Sequence, residues 1–239
     1  MQLTTTLDRR TPLSLILAFV GIDVRTFARR LGMALGHQRP QDLSLDDIKI
    51  PDTADALAAT DLVQRCSETF LFNHCIRTYL FGMAVARNVG LGPDEEVFYL
   101  SSIMHDLGLV KEYDKEGSFE LNGAVAAREF VVGRGLDTSK ADMIHEAIAL
   151  HTSVGIAHKR EPEIALVHFG AGVDVIGYRD EDLTAVTRER ILERAPRLKF
   201  KENFCPLMAD QAERKPGCSI AGHVGLGFIK KMQQAPFAQ

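Results

Sequence analysis

Tyr99-Leu100-Ser101-Ser102-Ile103-Met104-His105-Asp106-Leu107-Gly108 is the stretch on which the reading of this chain turns. It is apolar enough to be buried, lacks strand-like alternation, and ends in an imidazole beside a carboxylate with glycine two positions on. Upstream, Gly92-Pro93-Asp94-Glu95 supplies the proline and acids of a helical first turn. Ser101 and Ser102 lie at i−4 and i−3 from His105, so the face beside the imidazole has little bulk and a second helix can approach it. A His-Asp dipeptide carries little information alone, since chance supplies one in many chains of this size. Its context gives it weight.

Two other segments can join it. His74 lies in Glu68-Thr69-Phe70-Leu71-Phe72-Asn73-His74-Cys75-Ile76-Arg77-Thr78-Tyr79-Leu80-Phe81-Gly82, a helical run whose apolar stripe buries the imidazole. The interval to His105 accommodates a helix, the Val89-Gly90-Leu91-Gly92 turn and an antiparallel return helix. Asp174 lies in a helix opened by Glu161-Pro162-Glu163, with Val167, Gly170, Ala171 and Gly177 on its own face. Small residues one turn before a carboxylate imply close packing with the acid turned inward, which needs a cation to offset it. That cation is either a metal or an arginine such as Arg77 or Arg179. Two imidazoles and two carboxylates (His74, His105, Asp106 and Asp174) form a mixed nitrogen and oxygen ligand set suited to Zn²⁺, Fe²⁺ or Mn²⁺. The alternative for His74 is a satisfied core histidine.

The rest of the chain reads as helical throughout. No sustained alternation and no strand-flanked Asn-Gly or Asp-Gly turn occurs. The expected fold class is all-α: a single bundle domain over 61–239, with a peripheral N-terminal helical segment over 1–60 packed on it. Eight to ten helices are expected, with those near 68–89 and 94–107 at the centre. Ser139-Lys140-Ala141-Asp142 resembles a capping box opening a helix toward His151. The region from 194 to 216, with Pro196, Pro206 and Pro216, reads as irregular, and a last helix spans 219–233.

With 239 residues, 25% charged and net charge −4, the chain carries no electrostatic footprint for nucleic acid. No apolar run reaches the length of a membrane span. Arg9-Arg10 before Leu13-Ser14-Leu15-Ile16-Leu17-Ala18-Phe19-Val20 has the outline of a short signal peptide. A small-x-small cleavage site is missing, so the segment reads as a packed helix that serves as core or as a subunit contact. Cys66, Cys75, Cys205 and Cys218 form no CxxC pair, which fits reduced thiols and a cytoplasmic location.

Taken together, His…His-Asp…Asp on consecutive helices resembles the HD-domain superfamily of metal-dependent enzymes. More specifically, five stretches look like its cyanamide hydratase-like branch: 73–82, 104–108, 118–124, Glu146-Ala147-Ile148-Ala149-Leu150-His151-Thr152 and Gly170-Ala171-Gly172-Val173-Asp174-Val175-Ile176-Gly177. The resemblance implies that His74, His105, Asp106 and Asp174 ligate the metal, zinc first among the candidates, and that cyanamide is hydrated to urea. Where many phosphohydrolase members carry lysine soon after the dyad, this chain has Leu109, which weakens a phosphate-ester reading. His145 and His151 are six apart, about 240° around a helix, so one regular helix cannot aim both at one site. A single metal is therefore expected.

The resulting expectation is a hydratase acting on a small nitrile, with His151 or His145 transferring the proton, Asp106 as ligand or base, and a pocket of Phe72, Tyr79 and Phe119. His168 reads as structural, and His37, His158 and His223 carry no motif. Small-molecule substrate and a possible homo-oligomer complete the expectation. Two rivals stand beside it: a metal-dependent phosphohydrolase using Arg77, Lys111 and Lys115, and a non-catalytic helical scaffold.

Overall fold

The computed structural model describes residues 12–34 and 40–237, and His37 lies outside them. Among the described residues the protein is all-α, as expected, with eleven α-helices and no strand. The helices are α1 (Pro12–Ala34), α2 (Ala54–Cys66), α3 (Thr69–Val89), α4 (Glu95–Met104), α5 (Phe119–Gly133), α6 (Thr138–Leu150), α7 (Pro162–Ile176), α8 (Ala185–Arg194), α9 (Phe200–Arg214), α10 (Ser219–Gly225) and α11 (Phe228–Gln233).

Local chemistry sets most of these boundaries. The Asp94 carboxylate accepts from the amides of Glu96 and Val97 and opens α4. Thr53 caps α2, Ser118 caps α5 and Asp137 caps α6 in the same way. The α6 cap therefore lies two residues before Ser139. Pro162 occupies the first position of α7, where its missing N–H is harmless, and Gly177 at φ 70° ends that helix in the left-handed region.

The centre of the molecule is α3 against α7, the most extensive helix pair, rather than α3 against α4 alone. Glycine makes that approach possible. A Cβ at Gly170 would collide with the carbonyl of Thr78, and one at Gly82 would meet the Phe98 ring and the Leu166 carbonyl. With α3 nearly fully buried along 74–86, its polar residues His74, Arg77 and Thr78 face other protein atoms. On the other side, α5 and α6 form a hairpin, and Gly108 lets the turn after α4 settle on the start of α5.

Two expectations are corrected. The region read as irregular holds α9, with Pro206 inside it. Pro206 removes one helical hydrogen bond, but Pro206 and Glu202, whose carbonyl loses its donor, are both exposed, so water takes its place. The buried stripe Phe200, Phe204, Cys205, Met208 and Gln211 holds the helix against the core. The last helix is two short ones, broken at Gly227, which has φ 87°.

Gly170→Ala is expected to destabilise the protein by about 3 kcal/mol, because the new methyl strikes backbone that cannot rotate aside. Denaturant unfolding of the purified variant measures this, and a change below about 0.5 kcal/mol would show that α3 and α7 are not in contact there.

Candidate metal centre

The C-terminal end of α4 presents His105 and then Asp106. The His105 Nδ1 lies 2.8 Å from the Ser102 carbonyl, and a carbonyl only accepts, so Nδ1 carries the proton. The Nε2 lone pair therefore points away, toward Asp106 Oδ2 at 3.3 Å. His74 on α3 repeats the pattern. Its Nδ1 lies 2.7 Å from Asp174 Oδ2, leaving Nε2 bare and 3.5 Å from Asp106 Oδ2. One ligand atom from each of His74, His105 and Asp106 falls within 4.8 Å of the others, and all three residues are buried.

His151 completes the wall at the end of α6. Its Nδ1 donates to the Ile148 carbonyl at 2.7 Å, and its Nε2 faces Asp106 Oδ1 at 3.8 Å. The Nε2 atoms of His74 and His105 thus converge on Asp106 Oδ2, and that of His151 faces the other oxygen of the same carboxylate. His105 Nε2 and Asp106 Oδ2 are buried without a hydrogen-bond partner. Buried acceptors gathered in low dielectric favour a cation among them. This donor set fits one divalent ion held by His74, His105 and Asp106.

The protonation states agree with that chemistry. Burial raises the Asp106 carboxyl, but His105 outweighs it and brings the group down to about 2. Burial opposes charge on His105, yet the Asp106 carboxylate lifts it well above the usual imidazole value. A proton on His105 therefore takes the cation's place when none is bound, and metal binding should release it. Burial, reinforced by His105, lowers His151 to about 4, and burial also lowers His74.

Asp174 is inward and fully buried, as its small neighbours implied, but it does not converge on the cluster. It stands behind His74, on the Nδ1 edge. Arg77 grips it with Nε to Oδ1 at 2.9 Å and Nη2 to Oδ2 at 2.8 Å, and Arg197 binds Oδ1 as well. Its oxygens are engaged by these donors, so Asp174, expected as a fourth ligand, is placed on the far edge of His74 and outside the His74–His105–Asp106 cluster. Burial works against this carboxylate's charge, but Arg77 and then Arg197 hold it far below the usual range.

His145 also lies apart from the cluster. It is half-buried beside Arg128, Asp142 and Glu146, away from the cavity, as the six-residue phase difference from His151 requires. Of the expected pocket aromatics only Phe119 lines the cavity. The Tyr79 hydroxyl donates to the Lys49 carbonyl in the core, and Phe72 packs at the core's margin. Arg77 is sealed against Asp174 and the carbonyls of Ala195 and Pro196, while Lys111 and Lys115 are exposed.

Beside the cluster lies a cavity of about 70 Å³, lined by apolar residues that include Phe119, Ala171, Val175, Phe204, Met208 and Phe228. No lysine or arginine is among the described residues lining it. Four residues escaped the sequence reading. His168 lines the cavity, and its Nδ1 donates to the His151 carbonyl at 2.7 Å. His223 lines it too. Thr152 lines it and donates to Glu120 Oε1 at 2.6 Å, an oxygen that also accepts from Ser219 at 2.8 Å. Glu120 is buried, and its Oε2 has no hydrogen-bond partner. Thr152 and Glu120 lie in two of the family-like stretches; His168 and His223 had no local signal.

Residues 71–195, just over half of the chain, match the family model of the HD domain. That span contains His74, His105, Asp106, His151 and Asp174. No curated protein matches the chain.

His105→Ala is expected to abolish stoichiometric divalent metal in the purified protein, whereas His145→Ala leaves it intact; elemental analysis of both separates the two positions. A second expectation concerns acid. Burial lowers His168 to about 4, below its unfolded value of 6.5. As pH falls below about 6.5 the unfolded chain takes up a proton that the folded chain refuses, so stability is lost down to about pH 4. The full loss from this residue is on the order of 3 kcal/mol. His168→Gln should flatten the dependence of unfolding free energy on pH across that window, and an unchanged slope would show that His168 titrates normally.

Proposed function

We propose that this chain, which belongs to the HD-domain family, is a metal-dependent hydratase of a small neutral nitrile, with cyanamide to urea as the reaction. HD domains are typically metal-dependent hydrolases. The finer reading rests on one observation: the cavity beside His74, His105 and Asp106 is about 70 Å³ and carries no lysine or arginine in its described lining. Typical ligand pockets run from about 300 to 1,000 Å³, so a nucleotide has neither the room nor a cationic partner for its phosphates here. A molecule of three heavy atoms has both room and apolar walls.

The chemistry a bound divalent ion supplies is Lewis acidity, which lowers the pKa of water to about 7. The residues do the rest. His151 is neutral at physiological pH, since its pKa sits at about 4, and its Nε2 faces the cluster. It accepts a proton from the attacking water and returns one to the nitrile nitrogen. The water oxygen bonds to the nitrile carbon, one carbon–nitrogen π bond opens onto nitrogen, and that nitrogen takes the proton. The resulting imidic acid tautomerises to urea, so atoms and charge balance without a further reactant. His168 holds the His151 backbone, and Thr152, its proton directed to Glu120, offers oxygen lone pairs to a substrate amino group. Zinc suits the nitrogen and oxygen donors best, with iron or manganese as alternatives.

Incubation of the metal-loaded protein with cyanamide is expected to yield urea, and a panel of nucleotides and phosphomonoesters no phosphate. Phosphate without urea would overturn the proposal, and neither product would favour a scaffold. His151→Gln is expected to lower kcat about 10²–10⁴-fold with metal content unchanged. Loss of metal in that variant would place His151 among the ligands instead.

A further inference from the structure

Helix α1 has two faces. Its inner face lies on the body of the molecule: Ile22 is buried and lines the cavity, Ala18 packs beside the core, and Arg29 lies 3.6 Å from Glu181 and Asp182. Its outer face carries Leu13, Leu17, Val20, Val24, Phe27 and Leu31, each between 50 and 70 % exposed. The intervals are 4, 3, 4, 3 and 4 residues, an unbroken heptad stripe of a and d positions over nearly three heptads. The buried Ile22 occupies the position opposite this stripe, so the exposed row does not belong to the fold's own core.

We propose that the occupant of this stripe is the α1 of a second copy of the chain, paired antiparallel across a two-fold axis. The stripe is complementary to itself in that direction. When Val20 faces Val24 of the second copy, Leu17 faces its Phe27 and Leu13 faces its Leu31. The six layers are two Leu–Leu, two Leu–Phe and two Val–Val, so each is apolar and Phe27 meets no second Phe27. A two-fold contact needs such a self-matching patch. Gly21 and Ala28 flank the stripe on one side and let the two helices approach. The area is also sufficient. With Ile16, 42 % exposed, the row offers roughly 700–800 Å² per copy, the size of one side of a standard protein interface. The inference does not depend on the catalytic reading.

Size-exclusion chromatography with light scattering of the full chain at micromolar concentration should give twice the chain mass. The double variant Val24→Glu/Phe27→Glu should give the chain mass with unchanged far-UV circular dichroism, while Val132→Glu, on an exposed position of α5, should stay dimeric. Cysteine cross-linking keeps the test open if the double variant misfolds. A mixture of Val20→Cys and Val24→Cys proteins should form a mixed disulfide on oxidation, and Val24→Cys alone should not. A monomeric wild-type chain would overturn the proposal, including one that binds phosphatidylcholine–phosphatidylserine vesicles through this face. Self-cross-linking of Val24→Cys would overturn the antiparallel pairing.

Discussion

The site depends first on the buried carboxylate of Asp174. With Arg77 and Arg197 it forms a charge cluster that ties α3, α7 and the segment before α9 together. Replacing such a cluster with apolar groups is often neutral for stability, so its presence calls for a reason beyond holding the fold. The geometry supplies one. Asp174 accepts from His74 Nδ1, which fixes that ring's tautomer and aims its bare Nε2 at Asp106. Without this partner His74 would rotate or protonate at Nε2, and the ligand set would lose a member. Two arginines keep the carboxylate ionised and leave it unavailable as a direct ligand.

The same device recurs in softer form. His105, His151 and His168 each spend Nδ1 on a backbone carbonyl, of Ser102, Ile148 and His151 in turn. For His105 and His151 the carbonyl is three residues back in the ring's own helix, so the end of the helix chooses the tautomer. Placing a histidine at the close of an apolar helix thus orients it as well as positioning it. The C-terminal ends of α4 and α6 and the first turns of α3 bring three imidazoles to the two oxygens of Asp106.

Much of this is legible in the sequence. The all-α class followed from the absence of alternation, and the return of α4 beside α3 followed from the short loop after Val89. The phase argument separating His145 from His151 needed only helix geometry. Asp174 shows where such reasoning stops. Small neighbours announced that it was buried, but both a metal and an arginine answer a buried carboxylate, and only three-dimensional placement distinguishes one edge of His74 from the other. α9 was hidden because Pro206 masks a stripe of period near four; an exposed carbonyl makes proline tolerable, and exposure is not visible in sequence. His168 and His223 reach the cavity through long-range packing and leave no local trace.

The attachment of α1 raises a separate physical question. Its polar links include Asp23 to Lys231 at 2.8 Å and Arg25 to His158 at 2.9 Å, both exposed, and the wider contacts of Arg29 with buried Glu181 and with Asp182. Exposed pairs of this kind contribute about 0–1 kcal/mol each. Among the described side chains of the inner face Ile22 is buried and Ala18 partly buried, while a row of large apolar side chains points outward. Ile22 of this helix also lines the cavity. Covering the outer stripe would offset the ordering of α1 as well as shield its leucines from water. Assembly and the shape of the cavity would then be linked through Ile22, because the helix that joins two copies is the helix that completes the pocket in each.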